Sequence, residues 1–364
     1  MAAQRGELPT WVDAGLIPFL NLAVALIVAG LVVVIIGESP LEALGILLNG
    51  AVGSLKGWGY LLYYATNFTF TGLAVAVAFH AGLFNIGGEG QVYVAGLGAG
   101  VVGLGLEFLP WPLALPLAVL ACMAFGAAWA FIPAYLQAKR GSHIVITTIM
   151  FNFIAASLMV YLINNIFRPA GRMAVESRGI TNIFMPTFRE IGQWIGVKLP
   201  NTPLNVTVFL AVLAAWGLWY FLWRTRLGYE IRAVGANPDA AVYGGIKPER
   251  IIIIAMLISG GLAGLMAVNE ILGVQHRLVL EFAGGAGFVG IAVALMGRSH
   301  PVGVILAAML FGLLYQGGAE LSFAKPAITR DMIVVIQGLV ILFMGALEQA
   351  FRPHLLRVFA VAGA

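Results

Sequence analysis

The chain is laid out as long apolar runs separated by short polar ones. A helix needs about 20 apolar residues to cross the hydrocarbon core of a bilayer. That criterion predicts ten segments: 15–37, 58–80, 88–107, 111–135, 142–166, 204–223, 249–273, 284–297, 301–318 and 331–350. Segment 284–297 is short for a full crossing. It reads as a broken helix, which a membrane tolerates where protein or a cavity covers the free backbone groups. The first run, Leu16–Ile36, is too long for the apolar core of a secretory signal and has only Arg5 as a basic residue before it. It is therefore expected to be a retained helix. The expected fold is an all-α polytopic membrane protein, a single transmembrane domain over 1–364.

Composition agrees with the pattern. Of 364 residues, 61% are hydrophobic and 10% charged, whereas soluble domains carry about 25% charged residues. So few charges cannot cover the surface of a water-soluble globule, and so many apolar residues exclude a disordered chain. A lone cysteine, Cys122, excludes a disulfide scaffold. Lys and Arg number 20, Asp and Glu 16, for a net charge of +4. The basic residues lie in short loops, where membrane orientation accounts for them, and no nucleic-acid partner is expected. If all ten segments cross, Arg5, Lys139, Arg140, Arg224, Arg226, Arg232, Lys247, Arg250, Arg298, Arg352 and Arg357 share one side. That side, with both termini, is expected to be the cytoplasmic face of a plasma (inner) membrane.

Two hydrophilic stretches divide the chain. Residues 167–203 are expected outside and 224–250 inside. Five segments precede the outer loop, in 1–166, and five follow it, in 204–364. Each half has a Gly-rich break after its second segment, GLFNIGGEG at 82–90 and AGGAGFVG at 283–290. An odd number of crossings per half gives the copies inverted topology. Membrane transporters place a small-molecule substrate at such repeat interfaces, on broken helices.

The inner stretch, RLGYEIRAVGANPDAAVYGGIKPER at 226–250, has helix punctuation. Glu230–Val234 are expected to form a short helix that Gly235 ends with positive φ. Asn237 suits an N-cap, Pro238 the first helical position and Asp239 the positive helix end. Gly244 and Gly245 stop the second helix.

Here the sequence resembles a known family. LGYEIRAVGANPDAAVYGGI at 227–246 is similar to the coupling segment of ABC-importer permeases of the branched-chain amino acid, ribose and nucleoside group. AGLFNIGGEGQVYVAG at 81–96 and GAGFVGIAVALMGRSHPVG at 285–303 resemble the group's signatures in its two halves. The nucleoside permeases, which resemble those for simple sugars, are closest in wording. The resemblance implies about ten helices in two inverted repeats and a pair of cytoplasmic ATP-binding subunits. It also implies an extracellular substrate-binding protein and a second, non-identical permease. ATP and magnesium would sit on the ATPase subunits, with no cofactor in this chain. A permease without an ATPase must take its push from a partner, and short rigid helices on its inner face can do that. Glu230, Arg232, Asp239 and Tyr243 would supply specific contacts, positioned by Gly235, Asn237 and Pro238.

The first break admits two readings. Its glycines let the backbone leave helical geometry, and Asn85, Glu89 and Gln91 set polar groups beside the opening. A carboxylate among apolar spans is a functional candidate. Glu89 is placed to accept from ribose hydroxyls or base N–H groups, with Phe79, Phe84 and Phe288 as stacking faces. Equally, Glu89 can hold two helices together. Glu270, Gln275 and Glu281 are weaker candidates.

Other matches carry less. GAGVVG at 98–103 fits a dinucleotide pattern but lies inside an apolar segment. Gly260 and Gly264 have the spacing of close helix packing. No phosphate-binding GxxxxGK[ST] occurs, so ATP binding by this chain is not expected. No catalytic residue and no metal site are expected. The rival class is an ion-coupled secondary transporter, and the rival cargoes are a simple sugar or a branched-chain amino acid.

Overall fold

The computed structural model describes residues 16–346, together with Val12, Leu355 and Leu356. The expected positions of Arg5, Arg352, Arg357 and both chain ends lie outside the described residues. Within them the fold is all-helical, with two isolated bridges, Glu176 to Val279 and Thr187 to Asn205. Two compact units are present, one formed by the chain up to Gly57 and from Leu313 onward, the other by Trp58–Gly312.

The first unit holds α1 (Ile17–Ile35), α2 (Pro40–Val52), the end of α13 (Pro301–Ala324) and α14 (Arg330–Ala346). Helices α1 and α2 meet at 116°. Gly37, at φ +92, makes the bend, and Ser39 caps α2 by accepting from the Glu42 amide. The sequence pattern gives no helix at 40–52, because Glu42 and Asn49 interrupt its apolar positions. Ala29, Val33, Ala43, Leu321, Ile328, Ile333 and Ile336 form a core here. The Lys325 ammonium lies 3.0 Å from Glu38 and 3.0 Å from Glu42, and those carboxylates raise its pKa above the usual lysine value.

The second unit holds most of α3 (Leu55–His80), then α4 (Gly88–Gly105), α5 (Trp111–Arg140) and α6 (Ile144–Leu162). It continues with α7 (Phe188–Trp194), α8 (Thr207–Arg224), α9 (Arg226–Ala236) and α10 (Pro238–Tyr243). It closes with α11 (Pro248–Ala267), α12 (Ala286–Met296) and the first part of α13. Two helices run on in π geometry, α6 through Ile163–Phe167 and α11 through Val268–Gln275. The expected outer loop 167–203 contains α7, held by a reciprocal capping box between Thr187 and Glu190.

Six helices among the described residues are long and apolar enough to cross a membrane, seven if α1 and α2 count as one bent span. Within those crossing windows, 89% of the α3 residues and 72% of the α11 residues are buried, against 22% for α5 and 28% for α6 and α8. Helices α3 and α11 are therefore central, and the others turn apolar side chains outward, as lipid contact requires. Helix α4 is also central, with Gly88 to Gly100 all buried. Helices α5 and α11 touch backbone to backbone. A Cβ on Gly126 would lie 2.3 Å from the Gly260 carbonyl, and one on Gly264 would lie 2.4 Å from that of Cys122.

Candidate functional site

The two glycine-rich breaks meet. Helix α3 stops at His80, Gly82 turns the chain at φ +72, and α4 restarts at Gly88. Helix α12 begins after Gly284 and Gly285, both at positive φ. Glu89 joins them: one carboxylate oxygen accepts from the Gly285 amide at 2.9 Å, the other from the Gly287 amide at 2.8 Å. These amides are the unpaired donors at the positive end of α12, a natural seat for an anion. The approach is close enough that a Cβ on Gly287 would sit 2.2 Å from the Glu89 amide nitrogen.

Asn85 and Gln91 turn to each other instead. Each donates to the other's carbonyl oxygen at 3.2 Å, and Asn85 also donates to Ser259 Oγ at 2.8 Å. Ser259 donates to the Ala74 carbonyl. Asn152 closes the turn from α6, accepting from the Gly90 amide at 2.9 Å and donating to the Ile86 carbonyl at 2.9 Å. Asn85, Glu89 and Gln91 are thus buried and fully engaged with protein. Of the aromatic candidates, Phe79 and Phe84 touch, ring centroids 5.3 Å apart. Phe84 and Phe288 are exposed.

A second polar cluster is set in the core, and of it the sequence reading marks only Glu270. Tyr63 and Asn67 on α3 both donate to one oxygen of Glu270, Asn67 at 2.6 Å. Asn269 donates to Asn67 Oδ1 at 2.7 Å, and Asn205 donates to Asn269 Oδ1 at 2.8 Å. All five residues are less than 9% exposed. Asn269 and Glu270 lie in the π-helical stretch of α11, a geometry that often marks functional positions. Gln275 is half-buried and Glu281 exposed. The sequence signal for the cluster is polar residues inside apolar segments, namely Asn67 in the second and Asn269 and Glu270 in the seventh.

The expected surface segment folds as two helices with one difference. Asn237 caps α10, its side chain accepting from the Ala240 amide at 3.0 Å, with Pro238 next and Asp239 in the first turn. Gly235 does not end the first helix. Helix α9 runs from Arg226 through Gly235 to Ala236, and the positive-φ glycine is Gly245. Gly235 is needed for proximity instead: a Cβ there would meet the His80 carbonyl at 2.2 Å. Arg232 is turned inward, donating to the Leu222 carbonyl at 3.1 Å and stacked over Trp223. Glu230 pairs with Arg226 at 2.9 Å. Tyr229, Val242 and Tyr243 project outward, Tyr243 at 95% exposure. Between the two helices lies a groove of about 420 Å³ whose lining includes Ala233, Ala236, Ala240 and Ala241.

Glycine-opened breaks between apolar helices, beside a capped helix pair, are features that membrane transporters use. The chain belongs to the family described as the branched-chain amino acid transport system permease component, which matches residues 57–345. It is 33% identical over 332 residues to the guanosine ABC transporter permease protein NupP of Bacillus subtilis, covering 91% of this chain and 93% of that one. It is 32% identical over 330 residues to the nucleoside ABC transporter permease protein NupB of Lactococcus lactis, covering 90% of each. It is 33% identical over 344 residues to the glucose ABC transporter permease protein TsgB13 of Haloferax volcanii, covering 93% and 89%. The same Lactococcus strain has a second matching permease, NupC, at 27% identity over 268 residues. No solved structure matches the chain. Permease components of this kind are non-catalytic, and ATP hydrolysis belongs to separate subunits.

Proposed function

We propose that the chain is one permease of an ATP-driven importer for a nucleoside, moving its cargo by alternating access. The observation that carries the reading is the α9–α10 pair. Its helices are independently capped, its inner face is fixed to α3 and α8, and its outer face offers Tyr229, Val242, Tyr243 and an alanine-lined groove. A partner ATPase that seats there can move the helices as a rigid piece. Two further features support the reading. Each half has a break after its second segment, as inverted repeats predict. Two of the relatives above are named for nucleosides or guanosine. The pairing of NupB with NupC supports a second, non-identical permease as partner. A binding protein would deliver cargo on the side of 167–203, and both termini would be cytoplasmic. Asn85, Glu89, Gln91, Phe79, Phe84 and Phe288 would contact cargo once the breaks part.

The test is uptake of labelled guanosine, uridine, ribose and glucose into vesicles holding this chain with its partner permease and ATPases, binding protein outside. Uptake that requires internal ATP and ignores ionophores supports the reading, and the preferred label identifies the cargo. Uptake driven by an ion gradient without ATP overturns it. In the same assay Ala240→Asp, which places a charge in the lining of the groove, is expected to leave ATP hydrolysis intact and remove uptake. Normal uptake by that variant would count against docking at α9–α10.

A further inference from the structure

We infer that Asn205 is the positioning residue through which the surface helix α9 works a latch at the far end of the Trp58–Gly312 unit. The latch is the hydrogen-bond chain running from Asn205 through Asn269 and Asn67 to Glu270. The inference rests on the permease reading above and adds a device to it.

Two observations meet in Asn205. The first is a rigid rod. Asn205 lies two residues before α8 and accepts from the amide of its first residue, Thr207, at 2.9 Å, which ties it to the helix start. Helix α8 then runs 18 residues, about 27 Å at 1.5 Å per residue. A single residue, Thr225, separates it from α9, and its hydroxyl both donates to the Phe221 carbonyl and accepts from the Gly228 amide. Arg232 ties α9 back to Leu222, and Gly228 is so close that a Cβ would meet the Phe221 carbonyl at 2.1 Å. This joint has no slack. A displacement of α9 reaches Asn205.

The second is the chain of donors itself. Asn205, Asn269 and Asn67 each hand a hydrogen bond to the next acceptor, and the last acceptor, Glu270, is shared with Tyr63. Three separate elements are joined: the residue leading into α8, the π stretch of α11 and the central helix α3. Apolar residues of similar volume would hold such a core at least as well, because buried ionic groups give little net stability. A buried polar chain is, however, specific. It is satisfied in one register only, and moving one member strands the rest. That is the behaviour of a two-state catch. With α8 in its present place the chain of hydrogen bonds is complete, and in the proposed device this is the closed state. Pulling Asn205 away opens it.

Two variants test this in the reconstituted transporter. Asn205→Ser keeps an oxygen able to accept from the Thr207 amide, but its shorter side chain carries a single hydroxyl in place of the amide NH₂ that reaches Asn269. It is expected to insert and to hydrolyse ATP like the unmodified chain while moving about tenfold less cargo per ATP, the size expected when a coupling element is cut. A merely structural defect would lower both activities together. In a Cys122→Ala background, Asn205→Cys with Asn269→Cys is joined by a short reducible thiol-to-thiol spanner. Joining is expected to stop uptake, leave hydrolysis running and be reversed by reductant. Full uptake by the joined protein, or an unchanged cargo-to-ATP ratio in Asn205→Ser, overturns the latch. Absence of ATP-dependent uptake by the unmodified complex overturns the permease reading itself, and the latch with it.

Discussion

Glu89→Ala is expected to destabilise the chain by about 3 to 5 kcal/mol, since two hydrogen bonds to the carboxylate are lost and two amides, that of Gly287 buried and that of Gly285 partly so, lose their acceptor. Thermal unfolding in detergent measures it. The order matters more than the size. Glu89→Gln keeps one acceptor oxygen and turns an amide NH₂ toward the other donor, so its stability should fall between those of the unmodified chain and Glu89→Ala. Glu89→Asp retains the charge but is too short to reach Gly285 and Gly287 together from its place on α4, and should resemble Glu89→Gln. This series separates the two roles open for Glu89. If it only clasps α4 to α12, uptake falls in step with stability and cargo preference stays fixed. If it also meets cargo, Glu89→Gln changes the preference among guanosine, uridine and ribose beyond what its stability explains. A Glu89→Ala chain as stable as the unmodified one would show that the two bonds contribute nothing.

Gly235→Ala is the second substitution with a large expected effect. Its Cβ would lie 2.2 Å from the His80 carbonyl and 2.8 Å from the Gly82 amide nitrogen, and both neighbours are backbone. Neither can swing aside as a side chain would, so α9 must lift from the end of α3. Such overpacking costs about 1 to 3 kcal/mol. The functional cost should exceed the loss of stability, because the lifted helix is the one proposed to receive the push. The expected result is a chain that inserts and assembles, hydrolyses ATP and moves little cargo. Gly217→Ala is the control: that glycine, in the middle of α8, has no atom within 4 Å of the new methyl group, and its uptake should match the unmodified chain. Equal uptake by both variants would mean that α9 need not rest on His80.

What the sequence made legible follows from how local each signal is. Long crossings such as α3, α5 and α11 are spelled by continuous apolar runs, which need no tertiary partner to be read. The Asn237 cap is equally local, a side chain bonding an amide three residues on. Helix α2 escaped because it is short and carries Glu42 and Asn49 among its apolar residues. Gly235 misled because a glycine near a helix end serves either to turn the chain or to admit another backbone, and the difference lies 155 residues away at His80. A separation of 196 and 198 residues likewise hid the partners of Glu89. The sequence marks a carboxylate that needs an answer, but not that the amides at 285 and 287 give it. The Asn205–Glu270 chain was harder still. It joins three stretches of sequence, each contributing one or two unremarkable polar residues.

The contact of α5 with α11 has a consequence for heredity. Where Gly126 faces Gly260 and Gly264 faces the backbone of Cys122, no room exists for a methyl group. Any amino-acid replacement arising from one base change in a glycine codon adds at least that methyl group. Every missense change at these three codons therefore wedges the two helices apart. Most residues of α5 and α8 face outward, and those that no partner covers can drift among apolar alternatives, so lineages of this permease should diverge fastest on that surface. The seam should stay still while its surroundings change, and damaging alleles recovered by random mutagenesis should gather along it.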